Sequence, residues 1–177
     1  MSGPPRKSMF VVALCAGFAV GAAGCSAAPE RPSPKAHGAI SDSYAVSISS
    51  AFSPDQSVRI MGGLVSWRLA IPELHLFISP DSAPSTDCDA FDVCIAPGTL
   101  PDPDLGAWDP STGFIQLDPA EIDGWGSQWS RMTGHEMGHA MGLQHTGRGT
   151  LMAPFVTDMA AAPTATDVAQ WKALRSR

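Results

Sequence analysis

Basic residues are scarce in this chain, with eleven Lys and Arg against seventeen Asp and Glu, a formal net charge of −6 over 177 residues. No basic run is present, so a sequence-independent phosphate-binding surface is excluded and nucleic acid is not an expected partner. Apolar runs are also short. The longest, MFVVALCAGFAV at residues 9 to 20, falls below the ~20 residues that a spanning helix needs. Tyrosine occurs once, as Tyr44, and cysteine four times. No internal repeat is visible, and the 44% hydrophobic content belongs to one ordinary globular domain rather than to a disordered or fibrous chain.

Arg6 and Lys7 precede that apolar run, and small residues follow it as far as Cys25, the layout of an export signal. AAGC at residues 22 to 25 resembles a bacterial lipoprotein box, with Ala22 where leucine is usual. The resemblance implies lipidation of Cys25, a signal at residues 1 to 24, and anchoring to a membrane through the lipid. The competing cut, after Ala28, would leave Pro29 next to the cleavage site, which disfavours it. Residues 25 to 40 are Pro-rich and read as a tether, in which His37 is a solvated bystander. The mature chain of 153 residues would carry nine cations against seventeen acids, hence −8. Its expected location is the cell envelope or the exterior.

With Cys15 removed and Cys25 anchored, Cys88 and Cys94 remain for the folded part. In an oxidising compartment they are expected to pair. A metal-thiolate role is the weaker alternative, because no second Cys or His pair stands at zinc-finger spacing.

The folded domain is expected over residues 41 to 177. YAVSIS, residues 44 to 49, alternates as a strand. Ser53-Pro54 then supplies an N-cap and a first-turn proline for a helix toward Trp67, weakened in its middle by Gly62-Gly63. LHLFIS, residues 74 to 79, reads as a strand bounded by Pro72 and Pro80, with His75 as a sheet-face histidine rather than a ligand. From Asp81 to Asp109 the expectation is a long irregular acidic loop. Asp87, Asp89, Asp92, Asp102 and Asp104 there offer oxygen ligands for Ca²⁺, without EF-hand spacing, and a solvated acidic loop is an equal alternative. AWDPSTGFIQLD, residues 107 to 118, reads as a hairpin, and a helix follows from about Ser127 through Met141. Trp125, Trp129 and Met132 are expected to pack that helix. PTATDVAQWKALRSR forms a terminal helix with Trp171 inward, alongside Val168 and Leu174; Lys172, Arg175 and Arg177 complement its dipole.

HEMGHAMGLQH, residues 135 to 145, carries the chemistry. His135 and His139 lie one helical turn apart on the same face, the spacing for two ligands of one metal, with Glu136 beside them as general base. Gly142 can take the left-handed conformation that ends a helix, letting His145 return as the third ligand. Three neutral imidazoles leave one tetrahedral position open, which suits a catalytic Zn²⁺. At this composition the five specified positions coincide by chance in about one such chain in 10⁵.

The motif resembles that of the metzincin zinc endopeptidases, most closely their matrixin-like branch. GTLMAP, residues 149 to 154, places Met152 where the clan has its methionine turn. The resemblance implies an α+β fold: a small twisted, mostly parallel sheet with an edge hairpin, an active-site helix, the methionine turn and a C-terminal helix. It implies hydrolysis of peptide bonds in a protein or peptide substrate by a zinc-activated water, in a monomer. An extended substrate would pair with the segment from about Leu105 to Trp108, and Ala153 to Val156 would line an apolar pocket. Two departures stand out. No PRCG-type segment precedes the domain, and no tyrosine follows the methionine turn; Phe155 lies nearby but cannot ligate zinc. The competing hypothesis is a zinc-holding surface lipoprotein without catalysis, serving as an interaction module. Retention of Glu136 speaks against it.

Overall fold

The computed structural model describes residues 41–82, 88, 91–101, 103–124 and 128–176. The signal, Cys25, the tether, His37, Asp87, Asp89, Asp102, Trp125 and Arg177 lie outside these. The described residues form an α+β domain with a five-stranded, mostly parallel sheet and four α-helices. No helix among them is long and apolar enough to cross a membrane.

Strand β1 (Ser43–Ser49) leads through α1 (Pro54–Ala70) into β2 (His75–Ser82), which pairs parallel to β1 with Val46 opposite Ile78. The helix begins where local chemistry starts it. Ser53 accepts from the Gln56 N–H while Gln56 accepts from the Ser53 N–H, a reciprocal cap that leaves neither donor orphaned. β2 continues through Pro80, which the sequence reading placed outside the strand. An edge strand tolerates this, since its outer side has no ladder bond to lose, and β2 is an edge in the order β2-β1-β3-β5-β4.

The expected acidic loop from Asp81 to Asp109 is interrupted by structure. Strand β3 (Val93–Pro97) runs parallel between β1 and β5 (Phe114–Leu117), and β4 (Gly106–Asp109) pairs antiparallel with β5 as the expected hairpin. Only Val93, Cys94 and Ile95 of β3 are buried, too short a run to stand out among aspartates and prolines. Asp92 docks it: its carboxylate accepts from the Ala45 N–H at 2.8 Å, and its own N–H donates to the Ala45 carbonyl. That acid therefore has a structural task. Cys88 and Cys94 form a disulfide, as expected. Gly113, at φ 75°, closes the hairpin, whose Asp109 carboxylate accepts from Ser111 and Thr112.

A short helix, α2 (Pro119–Gly124), was not anticipated. Asp118 caps it by accepting from the Ala120 and Glu121 N–H groups, so the Asp-Pro pair was a readable start signal. Helix α3 (Trp129–Ala140) follows, and α4 (Ala165–Arg175) ends the fold. Helices α1 and α3 pack closely, with the buried Trp67 indole donating to the Gly134 carbonyl at 2.7 Å. Trp129, Met132 and Trp171 are core residues as expected, and His75 is exposed. Val168 and Leu174 pack against the core, while Lys172 pairs with Glu73 and Arg175 with Asp42.

Candidate metal centre

Helix α3 sets the first half of the centre. His135 and His139 are four residues apart on it, and their Nε2 atoms stand 3.1 Å from each other. The helix ends at once: Met141 closes it, and Gly142 takes φ 89°, a conformation that strains any side-chain-bearing residue. The chain turns back, and His145 Nε2 comes to 3.1 Å from His139 Nε2 and 3.3 Å from His135 Nε2.

Three nitrogens so placed need a reason. His135 Nδ1 lies 2.9 Å from the Leu151 carbonyl and His139 Nδ1 lies 2.9 Å from the Leu143 carbonyl. A carbonyl oxygen only accepts, so both Nδ1 atoms carry protons and both Nε2 atoms present lone pairs. Lone pairs facing one another repel unless a cation lies among them. Nitrogens held ~2.0–2.1 Å from one tetrahedral ion stand about 3.3 Å apart, which matches this triangle. The donor set therefore fits a divalent metal, and these three histidines can hold one. Among the described residues no other group of His, Cys, Asp and Glu converges in this way. Asp92 and Asp104, proposed from sequence as calcium ligands, are not part of such a group.

Burial prepares the ligands. It lowers the His135 pKa to about 4, with the neighbouring imidazoles adding to the effect and the Leu151 hydrogen bond opposing it. Burial also lowers His139 and, less deeply set, His145. Neutral imidazoles are what a metal requires.

Glu136 is buried beside them, only 4% exposed. Desolvation pushes its pKa up to about 8; the Trp108 backbone N–H, which donates to it, works against this, and the charge of Asp104 adds to it. That donor lies on the outer edge of β4. Gly106, two residues earlier, faces the carboxylate so closely that a Cβ there would stand 3.0 Å from Glu136 Cγ and 3.2 Å from Oε1. The edge of the sheet and the acid of the motif helix thus meet directly.

Met152 lies fully buried against the underside of α3, where a Cβ on Gly138 would collide with its sulfur. Ala153 is buried, Val156 half-buried and Phe155 45% exposed. The structure thus gathers His135, His139, His145, Glu136 and Met152 in one region, while the Cys88–Cys94 bridge serves the β3 approach. Sequence reasoning placed Gly106 in the expected substrate-pairing segment without foreseeing its approach to Glu136, and it missed the Leu143 and Leu151 carbonyls. No sequence signal marks a backbone carbonyl as a ligand's partner. The chain matches no protein-family model and no curated protein sequence.

Proposed function

We propose that the chain is an exported zinc endopeptidase of metzincin, matrixin-like type, carried as a lipoprotein through Cys25. The observation that carries the reading is the pairing of three converging imidazole nitrogens with a buried carboxylate, Glu136, that is not one of them. A purely structural metal site needs the histidines and has no use for the buried acid.

His135, His139 and His145 would hold the ion. When bound, zinc supplies Lewis acidity, lowering the pKa of a water toward ~7 and polarising a carbonyl. Glu136 takes a proton from the attacking water as its oxygen bonds the scissile carbonyl carbon and delivers that proton to the amine nitrogen as the C–N bond breaks, so the protons balance and no covalent bond to the protein forms. Such general acid–base work is worth about 10²–10⁴-fold. The ionised form of Glu136 is the one that accepts a proton; burial disfavours it in the metal-free chain, and the positive charge of a bound divalent ion would favour it.

Substrate placement follows from β4. Among the described residues it is the last strand of the sheet, and the Trp108 N–H on its outer edge reaches Glu136. An extended peptide added there by strand pairing would bring its backbone alongside the acid. Ala153 to Val156 would border the pocket for the side chain after the cut, favouring apolar residues.

The test uses the full chain and Glu136→Gln, with metal analysis and a mixed peptide library. Hydrolysis by the wild type, lost in the variant with zinc retained, supports the reading. Zinc binding with no hydrolysis by either protein replaces it with the interaction module.

A further inference from the structure

Asp167 touches no ligand, yet it is the most deeply buried carboxylate among the described residues, with no exposed surface. Its two oxygens do different things. Oδ2 accepts from the Thr164 N–H at 2.7 Å, the Thr164 hydroxyl at 2.8 Å and the Leu151 N–H at 3.0 Å, which closes the start of α4. Oδ1 accepts from the Met152 N–H at 3.3 Å. A cap needs only the first oxygen.

The second oxygen has a longer reach. The Met152 N–H belongs to the same peptide unit as the Leu151 carbonyl, and that carbonyl accepts from His135 Nδ1. One amide therefore has a carboxylate at its N–H end and a ligand histidine at its C=O end. Gln170 repeats the arrangement three residues along α4. With its amide assigned so that oxygen meets a donor and nitrogen an acceptor, its side-chain oxygen accepts from the Gln144 N–H at 3.3 Å, and its nitrogen donates to the Gln144 carbonyl at 3.2 Å. The Gln144 N–H shares a peptide unit with the Leu143 carbonyl, which accepts from His139 Nδ1.

We propose that Asp167 and Gln170 are positioning residues of the metal centre, each acting through a single peptide unit on one histidine of the motif helix. A negative group at the N–H end polarises the amide and strengthens its carbonyl as an acceptor. A stronger bond at Nδ1 holds the ring in place and makes Nε2 a better donor to a cation. The two relays are unequal, because Asp167 is charged and Gln170 is not. The inference rests on the histidines holding a divalent ion, and not on peptide hydrolysis.

The relays make a selective experiment possible. Asp167→Asn keeps an oxygen for the cap and sets an NH₂ against the Met152 N–H, so it breaks the His135 relay alone. Gln170→Met keeps the shape and removes the His139 relay alone. In the zinc-loaded full chain, the Nδ1 protons of His135 and His139 are followed by NMR, and zinc affinity by competition with a chelator. Asp167→Asn is expected to move the His135 signal, speed its exchange with solvent and weaken zinc binding about 10–100-fold. Gln170→Met is expected to move the His139 signal, with a smaller loss of affinity.

Equal movement of both signals in either variant, or affinities unchanged in both, overturns the proposal. If Asp167→Asn does not fold, zinc loading of the wild type must shift the Met152 amide proton more than those of Thr150 and Ala153; no such preference overturns it too. The outcomes separate from those of the peptidase reading. Wild-type zinc binding with no hydrolysis removes that reading and leaves the relays, whereas hydrolysis with affinities unchanged in both variants does the reverse.

Discussion

Gly62 and Gly63 are neighbours on α1, and replacing each by alanine should have unequal effects on stability. In an open helix interior, Gly→Ala gains about 1 kcal/mol from backbone entropy. At Gly62 the new Cβ meets only the side chain of Ser130, with Oγ at 3.0 Å. That hydroxyl can rotate away, at the expense of its bond to the Arg59 carbonyl, worth about 0.5–1.5 kcal/mol. Gly62→Ala is therefore expected to be neutral within about 1 kcal/mol. At Gly63 the Cβ meets the Ser130 carbonyl oxygen, the Gly134 nitrogen at 2.9 Å and Thr133 Cβ at 2.9 Å, where ordinary contact begins at 3.4 Å. Backbone cannot swing aside, so α1 and α3 must part by about half an ångström or more. Overpacking of this kind costs about 1–3 kcal/mol, and rigid neighbours place it at the upper end, leaving a net loss of about 2 kcal/mol after the entropy gain. For a domain of this size that lowers Tm by about 4–8 °C. Because α3 carries His135, Glu136 and His139, Gly63→Ala should also weaken zinc binding, and Gly62→Ala should not. Paired thermal and urea melts, with zinc titrations, decide it. Equal effects of the two substitutions, or a stabilising Gly63→Ala, would show that the close crossing of α1 and α3 does not hold the centre.

Burial of Glu136 raises its pKa from 4.5 to about 8, so in the apo-protein its contribution is complete below pH 4.5 and lost as pH rises through 8. Glu136→Gln, which cannot ionise, should therefore make the apo-protein more stable than wild type at pH 8–9; a variant that melts lower at every pH would contradict this. His135 has the opposite sense of dependence. Its depressed pKa means that the unfolded chain takes up a proton first, so stability present above pH 6.5 is lost toward pH 4, on the order of 3 kcal/mol from this residue. Zinc should be released over the same acid range, and metal content measured against pH together with apo-protein melts checks both; zinc retained at full occupancy near pH 3 would count against a histidine site. Gly142→Ala places a side chain at φ 89° for about 1–2 kcal/mol of strain and misdirects His145, so zinc affinity should fall while α3 stays helical by circular dichroism. Unaltered affinity would show that the left-handed turn is not what returns the third ligand.

How far the sequence could be read depended on the range of the forces involved. Short-range signals were legible: the Ser53-Pro54 cap, the DPSTG hairpin, the HEMGHAMGLQH helix with its glycine exit, and the terminal helix with Trp171 inward. Each is decided within a few residues. β3 was not legible, because its three buried residues depend on neighbours in β1 and β5. Gly62-Gly63 was read as a weakness in α1, whereas Gly63 is where α3 passes too close for a side chain. Local propensity counts the entropy lost at a glycine and has no means of seeing the helix that requires it.

The same distinction runs through the metal centre. Nothing in the motif says how the imidazoles are oriented, and four residues of helix leave each ring free to rotate about its χ angles. The protons on Nδ1 decide which nitrogen faces inward, and the partners of those protons are carbonyls at Leu143 and Leu151, beyond the end of α3. Those carbonyls lie on irregular chain, where no ladder fixes a peptide plane. α4 supplies what is missing, since Asp167 and Gln170 bond the N–H ends of the same two peptide units. A histidine pair on one helix is thus oriented from a second helix more than twenty residues later, through peptide units whose residues fall within the two motifs but whose hydrogen-bonding role those motifs do not reveal. Rigid placement of the ligands then depends on the docking of α4 as much as on the motif itself.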